Sequence, residues 1–108
     1  ITDLGNTTLG KLISAGKISV NPAAHKVFLD GMEITLTHKE YELLHFFMSN
    51  PGQVFSREQL LNRIWGYDFE GNTRTVDTHI KTLRQKLGSE GKSIVTLIRS
   101  GYKFEVTK

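Results

Sequence analysis

The chain has 108 residues, of which 38% are hydrophobic and 23% charged, and a formal net charge of +3 with its four histidines neutral. It has enough large apolar side chains for a packed core and enough residues for one globular domain, which excludes a disordered chain and two independent cores. The absence of cysteine excludes disulfide scaffolds, thiol chemistry and thiolate zinc sites, and it suits a cytoplasmic protein. Because its apolar runs are far shorter than about 20 residues, we expect no membrane span.

The first third of the chain is predicted to hold a linker followed by a small sheet. Residues 1–16 contain three glycines and show no sustained period, so we interpret them as a linker or tail, with room for a short strand near Leu12 and Ile13. Residues 17–36 contain three short, partly alternating segments, which are separated by Asn-Pro and Asp-Gly pairs that favour turns. This pattern predicts an antiparallel meander.

Three helices are predicted in the middle of the chain, over residues 37–49, 57–65 and 73–87. Apolar residues recur at helical spacing in each segment, and glycine or proline follows each C-terminal end. The first two segments begin with a capping box, a Thr or Ser followed three residues later by Glu or Gln, which satisfies free N–H groups at the start of a helix. Residues 66–72 form a loop before the third helix, and residues 94–106 are predicted to form a hairpin.

The charge is unevenly distributed along the sequence. Residues 33–72 contain three basic and six acidic side chains, whereas residues 73–108 contain eight basic and three acidic ones. Such asymmetry indicates an anionic partner for the last third of the chain, and the alternative is a solvated face without a partner.

The predicted helix over residues 73–87 has an apolar side and a polar side. The apolar stripe consists of Val76, Ile80, Leu83 and Leu87. The opposite side consists of Arg74, Thr78, Lys81 and Gln85, with Thr82 beside them and His79 and Arg84 on the flanks. Asp77 lies to one side near the N-terminal turn, where the helix dipole favours a carboxylate. Arg and Lys suit guanine or phosphate, Gln suits adenine, and the major groove admits one α-helix, so this helix predicts DNA binding.

The hairpin predicted over residues 94–106 carries Arg99 and Lys103, with Gly101 at its turn. A basic hairpin after a basic helix is what a winged helix-turn-helix requires, with the helix in the major groove and the wing on an adjacent minor groove or on the backbone. The alternative is an ordinary edge hairpin, whose Lys and Arg prevent aggregation. The order of three helices followed by a hairpin favours the wing.

Four groups of motifs follow one another along residues 17–106. They are Leu-Thr-His-Lys-Glu-Tyr-Glu-Leu-Leu at 36–44, Val-Phe-Ser-Arg-Glu-Gln-Leu-Leu at 54–61 with Ile-Trp-Gly at 64–66, Arg-Thr-Val-Asp-Thr-His-Ile at 74–80 with Leu-Arg-Gln-Lys-Leu at 83–87, and Gly-Tyr-Lys-Phe at 101–104. In this order they resemble the effector domain of OmpR/PhoB-type bacterial response regulators. The resemblance implies an α+β fold, a winged helix-turn-helix with an N-terminal antiparallel four-stranded sheet, three helices and a C-terminal β-hairpin wing. It also implies sequence-specific DNA binding in a two-component system that controls transcription.

The resemblance implies roles for individual positions. Residues 73–87 would be the recognition helix, with base or phosphate contacts from Arg74, Thr75, Thr78, His79, Lys81, Thr82 and Arg84, and with Gln85 on the same outer side. The DNA backbone would be contacted by Arg57, Trp65 and Thr96, and the wing would contribute Arg99 and Lys103. The loop at 66–72 is similar to the one that meets RNA polymerase in activating members of the family, and it includes Tyr67, Asp68, Phe69 and Glu70.

The resemblance also implies partners. They are double-stranded DNA with direct-repeat half-sites, a second copy of the domain bound in tandem, RNA polymerase, an N-terminal receiver domain and the sensor histidine kinase that acts on it. The chain does not begin with Met and holds only the effector part, so we expect it to belong to a longer protein.

The wing departs from the usual pattern of the family. Ile98 stands where the family commonly has an Arg that enters the minor groove, and Arg99 stands where it has a Gly. A shift of one residue along a strand reverses the direction of a side chain, which argues against insertion of Arg99 into the minor groove, whereas a twisted tip would still bring it to phosphate. The positions of Lys81 and Thr82 are often both basic in relatives, so we expect fewer phosphate contacts and a shallower salt dependence.

Two further motifs have simpler explanations than catalysis. Residues 91–93 (Gly-Lys-Ser) resemble the end of a phosphate-binding loop, but they follow a helix and the first glycine of that motif is missing. His38 and His45 share a predicted helix without further metal ligands. We therefore expect no enzymatic activity, cofactor or metal site. The remaining alternative is a winged-helix module that docks an acidic protein, which would lack the steep salt dependence of phosphate binding.

Overall fold

The computed structural model describes residues 13–105 and confirms the predicted fold class. An antiparallel sheet contains four short strands in chain order, β1 (Ile13–Ala15), β2 (Ile18–Asn21), β3 (Lys26–Leu29) and β4 (Met32–Ile34). Buried apolar residues alternate with more exposed ones along β2, so one face of the sheet packs against the helices.

The first strand, β1, forms where the sequence leaves room for a short strand near Leu12 and Ile13, within the segment interpreted as a linker or tail. Its residues, Ile13–Ala15, pair antiparallel with β2, and Ala15 is buried in the core. Three residues are too few to show a period in the sequence, because such a strand depends on hydrogen bonds from its neighbour. Residues 1–12, which include Leu12, lie outside the described residues.

Three helices follow, α1 (His38–Ser49), α2 (Arg57–Ile64) and α3 (Arg74–Leu87). Both predicted capping boxes are formed, at the starts of α1 and α2. Thr37 is the N-cap of α1, as its capping box predicts, whereas Trp65 and Thr73, which the sequence predicts as helical, are caps of α2 and α3. A cap residue takes part in helical hydrogen bonds on one side only, so the periodicity of side chains does not locate it.

The sequence does not predict two further elements. β5 (Val54–Phe55) pairs with the C-terminal strand of the hairpin, so β5, β7 (Gly101–Phe104) and β6 (Ile94–Leu97) form a second sheet in that order. The polar segment after α3 is a 3₁₀ helix (Gly88–Ser93) instead of a loop. β5 has only two residues, too few to show a period, and its pairing with β7 holds it in place. The 3₁₀ segment is polar and packs on the preceding helix α3. The first sheet ends with β4, two residues before its predicted end at residue 36.

The core lies between the first sheet, the helices and the hairpin. The predicted apolar stripe of α3 is confirmed, since no member is more than 1% exposed: Val76, Ile80, Leu83 and Leu87. It packs with fully buried residues of the other elements, among them Ile18, Leu44, Phe47, Leu60, Ile94 and Phe104. The opposite side of α3 therefore faces outward. Within residues 13–105, every helix is too short or too polar to cross a membrane.

Candidate nucleic-acid interface

The outer side of α3 carries the polar side chains that the sequence places opposite the apolar stripe. Arg74, Thr78, Lys81 and Gln85 are all exposed. Neither Arg74 nor Lys81 forms an ion pair within residues 13–105, so both cations are available to an external anion. The side-chain oxygen of Asn72 accepts a hydrogen bond from the backbone N–H of Arg74 at 2.9 Å and thereby orders the start of the helix.

His79 lies on the flank of α3 and contacts Trp65. Its Nδ1 is 2.8 Å from the Thr75 carbonyl oxygen, so Nδ1 carries the hydrogen in this contact and Nε2 is free to meet another group. The indole of Trp65 meets the imidazole edge-on, with 4.9 Å between ring centroids. The Lys39 ammonium lies 5.7 Å from the centre of the same indole and donates to the Ile64 carbonyl at 2.9 Å. The sequence did not single out Lys39, because only the packing of α1 against α2 brings this cation to Trp65.

Thr82 faces α1. Its hydroxyl donates to one oxygen of the buried Glu40 carboxylate, and the other oxygen accepts from Lys86 Nζ at 2.7 Å and from the Thr37 N–H at 2.9 Å. Burial by itself would raise the pKa of Glu40, but the hydrogen bonds from Lys86, Thr82 and Thr37 and the charge of Lys86 lower it to about 2. The Thr82 hydroxyl, predicted to contact DNA, is thus engaged within the domain.

Arg84 and Thr96, two predicted DNA contacts, bind each other. The Arg84 guanidinium donates to the Ile94 carbonyl at 3.1 Å and 2.7 Å and to the Thr96 hydroxyl at 2.5 Å. It also lies over the Tyr102 ring, 5.6 Å from its centroid. Arg84 therefore connects α3 to both strands of the hairpin, a role that the helical wheel of α3 cannot reveal.

An open cleft of about 410 Å³ separates the hairpin from the N-terminal ends of α2 and α3. Arg57 lines the cleft and pairs with Asp77 at 2.8 Å, and the Tyr102 hydroxyl donates to the other Asp77 oxygen at 2.6 Å. Burial, the hydrogen bond to Asp77 and its charge raise the pKa of Tyr102 to about 12, so the hydroxyl keeps its proton. From the sequence, the only role expected for Asp77 is a favourable interaction with the helix dipole. In the structure its carboxylate binds Arg57 of α2 and Tyr102 of β7 and so joins both elements to α3.

Three residues form the tip of the hairpin between β6 and β7. The Ser100 N–H donates to the Leu97 carbonyl at 2.9 Å and closes the turn. Arg99 has a φ of 69°, the left-handed conformation that favours glycine, so it occupies a corner of the turn and not a regular strand position. Ile98 is 86% exposed and Arg99 is also exposed. Lys103 in β7 is half-buried and pairs with Glu105 at 2.7 Å.

The loop between α2 and α3 presents the four side chains that the family resemblance associates with RNA polymerase. They are exposed, namely Tyr67, Asp68, Phe69 and Glu70. Between residues 13 and 105, Tyr67 is the most exposed large hydrophobic residue, at 87%, whereas the Phe69 ring lies 6.1 Å from the Trp65 ring. The loop is therefore connected to the α3 surface through Trp65 while its tyrosine remains open to solvent.

The histidines outside α3 belong to an aromatic stack. His25 stacks on Tyr41 at 4.8 Å and on His38 at 6.5 Å, and Tyr41 also stacks on His45 at 5.8 Å. No three His, Cys, Asp or Glu side chains between residues 13 and 105 are grouped as metal ligands would be.

Known proteins resemble the chain both in sequence and in structure. Residues 31–104 match the family described as "Transcriptional regulatory protein, C terminal". Transcriptional regulatory protein ResD of Bacillus subtilis is 47% identical over 105 residues, which cover 94% of this chain and 44% of ResD. Transcriptional regulatory protein SrrA of Staphylococcus aureus is 46% identical over 93 residues, which cover 82% of this chain and 39% of SrrA. The chain thus spans less than half the length of these relatives.

Two solved structures illustrate the similarity in fold. The Klebsiella pneumoniae RstA DNA-binding domain, in complex with the RstA box, has a TM-score of 0.79 and 31% identity, covering 90% of this chain and 99% of that one. The response regulator DrrB, a Thermotoga maritima OmpR/PhoB homologue, has a TM-score of 0.79 and 34% identity, covering 87% of this chain and 44% of DrrB.

Proposed function

Because the chain belongs to the family of C-terminal domains of OmpR/PhoB-type transcriptional regulatory proteins, we propose that it binds double-stranded DNA sequence-specifically as the effector domain of a two-component response regulator. The observation that carries this proposal is the outer side of α3. It presents two cations that form no ion pair within residues 13–105, Arg74 and Lys81. Two hydrogen-bonding side chains, Thr78 and Gln85, lie beside them, and the other side of the helix is fixed in the core. The complex of the similar RstA domain with the RstA box supports it.

In the proposed complex α3 lies in the major groove. The groove is about 12 Å wide and accepts a helix of about 10–12 Å diameter. Arg74 and Lys81 would bind guanine or phosphate, and Gln85 would bind adenine. Arg57 and the cleft beside the hairpin would lie against phosphates of the backbone, and the hairpin would reach the neighbouring minor groove as a wing.

The whole regulator would extend this activity through partners. The relatives are more than twice as long as the matched segment, which supports an N-terminal receiver domain controlled by a sensor histidine kinase. A second copy would bind in tandem on direct-repeat half-sites. The exposed loop with Tyr67 and Phe69 would contact RNA polymerase, and the protein would act in the bacterial cytoplasm, where its DNA lies.

The test is a binding titration with fluorescent DNA at fixed salt, after an operator has been selected from a random pool. Arg74→Ala and Lys81→Ala are each expected to weaken operator binding by about 5- to 150-fold, since a specific contact contributes about 1–3 kcal/mol. Lys26→Ala is the control, because this exposed lysine belongs to the four-stranded sheet. Unchanged affinity in both α3 variants would refute the assignment of the recognition helix. Affinity that stays constant between about 50 and 200 mM salt would instead favour a module that docks an acidic protein.

A further inference from the structure

The tip of the wing carries an exposed aliphatic side chain. Ile98 is 86% exposed and lines the same cleft as Arg57 and Thr73 at the starts of α2 and α3. Single exposed apolar residues are common on protein surfaces. This one differs in its place, because it stands at the apex of a hairpin that borders the proposed DNA-binding surface.

The hairpin base is fixed at several points, so the position of its tip relative to α3 is defined. Arg84 of α3 holds β6 through the Ile94 carbonyl, and Asp77 of α3 accepts from the Tyr102 hydroxyl of β7. Gly101 packs so closely on β5 that a Cβ atom there would lie 2.0 Å from the Phe55 carbonyl oxygen. A tip that is fixed before binding loses little conformational freedom when it meets a partner.

The chemistry of Ile98 suits the minor groove of DNA in a particular way. The groove is about 6 Å wide, and a G·C pair differs from an A·T pair there by the guanine 2-amino group. Aliphatic side chains enter minor grooves as apolar wedges in architectural proteins. An isoleucine donates no hydrogen bond to base edges, so it responds to the shape of the groove floor. Its β-branch also restricts its rotamers, which favours a defined contact.

We propose that Ile98 is a specificity-determining residue that packs into the minor groove beside the α3 half-site and excludes the 2-amino group of guanine, so that the wing selects A·T pairs by shape. Arg99, next to it in the turn, binds the flanking phosphate. This inference rests on the proposed DNA binding. It gives the wing a contact that adds affinity without releasing a counterion, because an aliphatic side chain neutralises no phosphate.

The test uses the chain and a selected operator in which adenines next to the half-site are replaced one at a time by 2,6-diaminopurine. This base adds a 2-amino group to the minor groove and leaves the major-groove edge of adenine unchanged. The unaltered chain is expected to lose about fivefold or more in affinity at one or two positions. Ile98→Ala is expected to bind the unmodified operator about tenfold more weakly than the unaltered chain does. It is also expected to bind the diaminopurine operators with the same affinity as the unmodified operator. Met32→Ala, which removes an exposed apolar side chain from the four-stranded sheet, is the control and should match the unaltered chain.

A second variant separates shape from charge. Ile98→Arg is expected to steepen the slope of log affinity against log salt by about 0.9, because a guanidinium in the minor groove would neutralise about one charge of the phosphates that flank the groove. Ile98→Ala should leave that slope unchanged. The inference is overturned if Ile98→Ala binds as the unaltered chain does, or if it binds more weakly but keeps the same loss at the same diaminopurine positions. Lys81→Ala in the same titration keeps the two proposals apart. If it weakens binding while Ile98→Ala does not, DNA binding by α3 stands and only the role of Ile98 falls.

Discussion

Glu40 offers the sharpest test of how α3 is held. It is 2% exposed, and its carboxylate is shared by the capping box of α1 and by Lys86 and Thr82 of α3. A pKa lowered from 4.5 to about 2 means that the ionised form stabilises the folded state, by about 3 kcal/mol at neutral pH. This is a large share of the roughly 5–15 kcal/mol by which a domain is usually stable.

We expect Glu40→Gln to lower the free energy of unfolding by about 2–3 kcal/mol at pH 7. Glutamine can still accept the Thr37 N–H, but it cannot pair with the charge of Lys86. The folded pKa lies below the unfolded one, so the contribution of Glu40 is fully present above about pH 4.5 and is lost as the pH falls towards 2. The difference between the two proteins should therefore shrink over that interval.

Urea unfolding followed by the fluorescence of Trp65, the single tryptophan of the chain, measures this difference at each pH. Glu42→Gln is the matched control on the same helix. Among the described residues, Glu42 pairs only with His38 and Lys39 at the surface, so its replacement should cost less than about 1 kcal/mol. Two results would refute the reasoning: a loss of unfolding free energy below about 1 kcal/mol for Glu40→Gln at pH 7, or a loss that stays constant as the pH falls from 7 towards 2.

Two further substitutions test the contacts that fix the wing. Gly101→Ala should lower the melting temperature markedly, because its Cβ would lie 2.0 Å from the Phe55 carbonyl oxygen. Gly52 also has a positive φ, 81° against 122° for Gly101, but open space around it, so Gly52→Ala should cost only about 1 kcal/mol in thermal unfolding. Equal costs would show that the close approach to β5 is unimportant. Tyr102→Phe should lose about 1–2 kcal/mol in urea unfolding with its hydrogen bond to Asp77, and Tyr67→Phe, at an exposed hydroxyl, should lose nothing measurable.

Local patterns were enough to predict most of the fold. The stripe of α3 repeats over about three turns, and helical periodicity over that length has few competing explanations. The capping boxes of α1 and α2 span only four residues each, so the sequence contains the whole motif. β5 has two residues and is stabilised by β7, almost fifty positions later, which leaves no local signal to read.

The polar residues of the candidate interface were predictable in position but not in partner. A helical wheel places Thr82 and Arg84 near the outer side of α3, yet it contains no information about Glu40 in α1 or the Ile94 carbonyl in β6. Asp77 is similar, since its contacts with Arg57 and Tyr102 exist only after α2 and β7 have packed on α3. Long-range hydrogen bonds thus decide which polar side chains remain free for a ligand.

The pairing of Arg57 with Asp77 has a consequence for the thermodynamics of binding. An arginine that is free in solution loses up to about 2 kcal/mol of rotamer entropy when it is fixed on a phosphate. Arg57 is already held at 2.8 Å from Asp77, so much of that entropy is lost when the domain folds and not when DNA arrives. Asp77→Asn should therefore make association with DNA entropically less favourable in calorimetry, although Asp77 would touch no DNA itself. A carboxylate in the DNA-facing cleft would then assist the binding of a polyanion by ordering the cation that meets it.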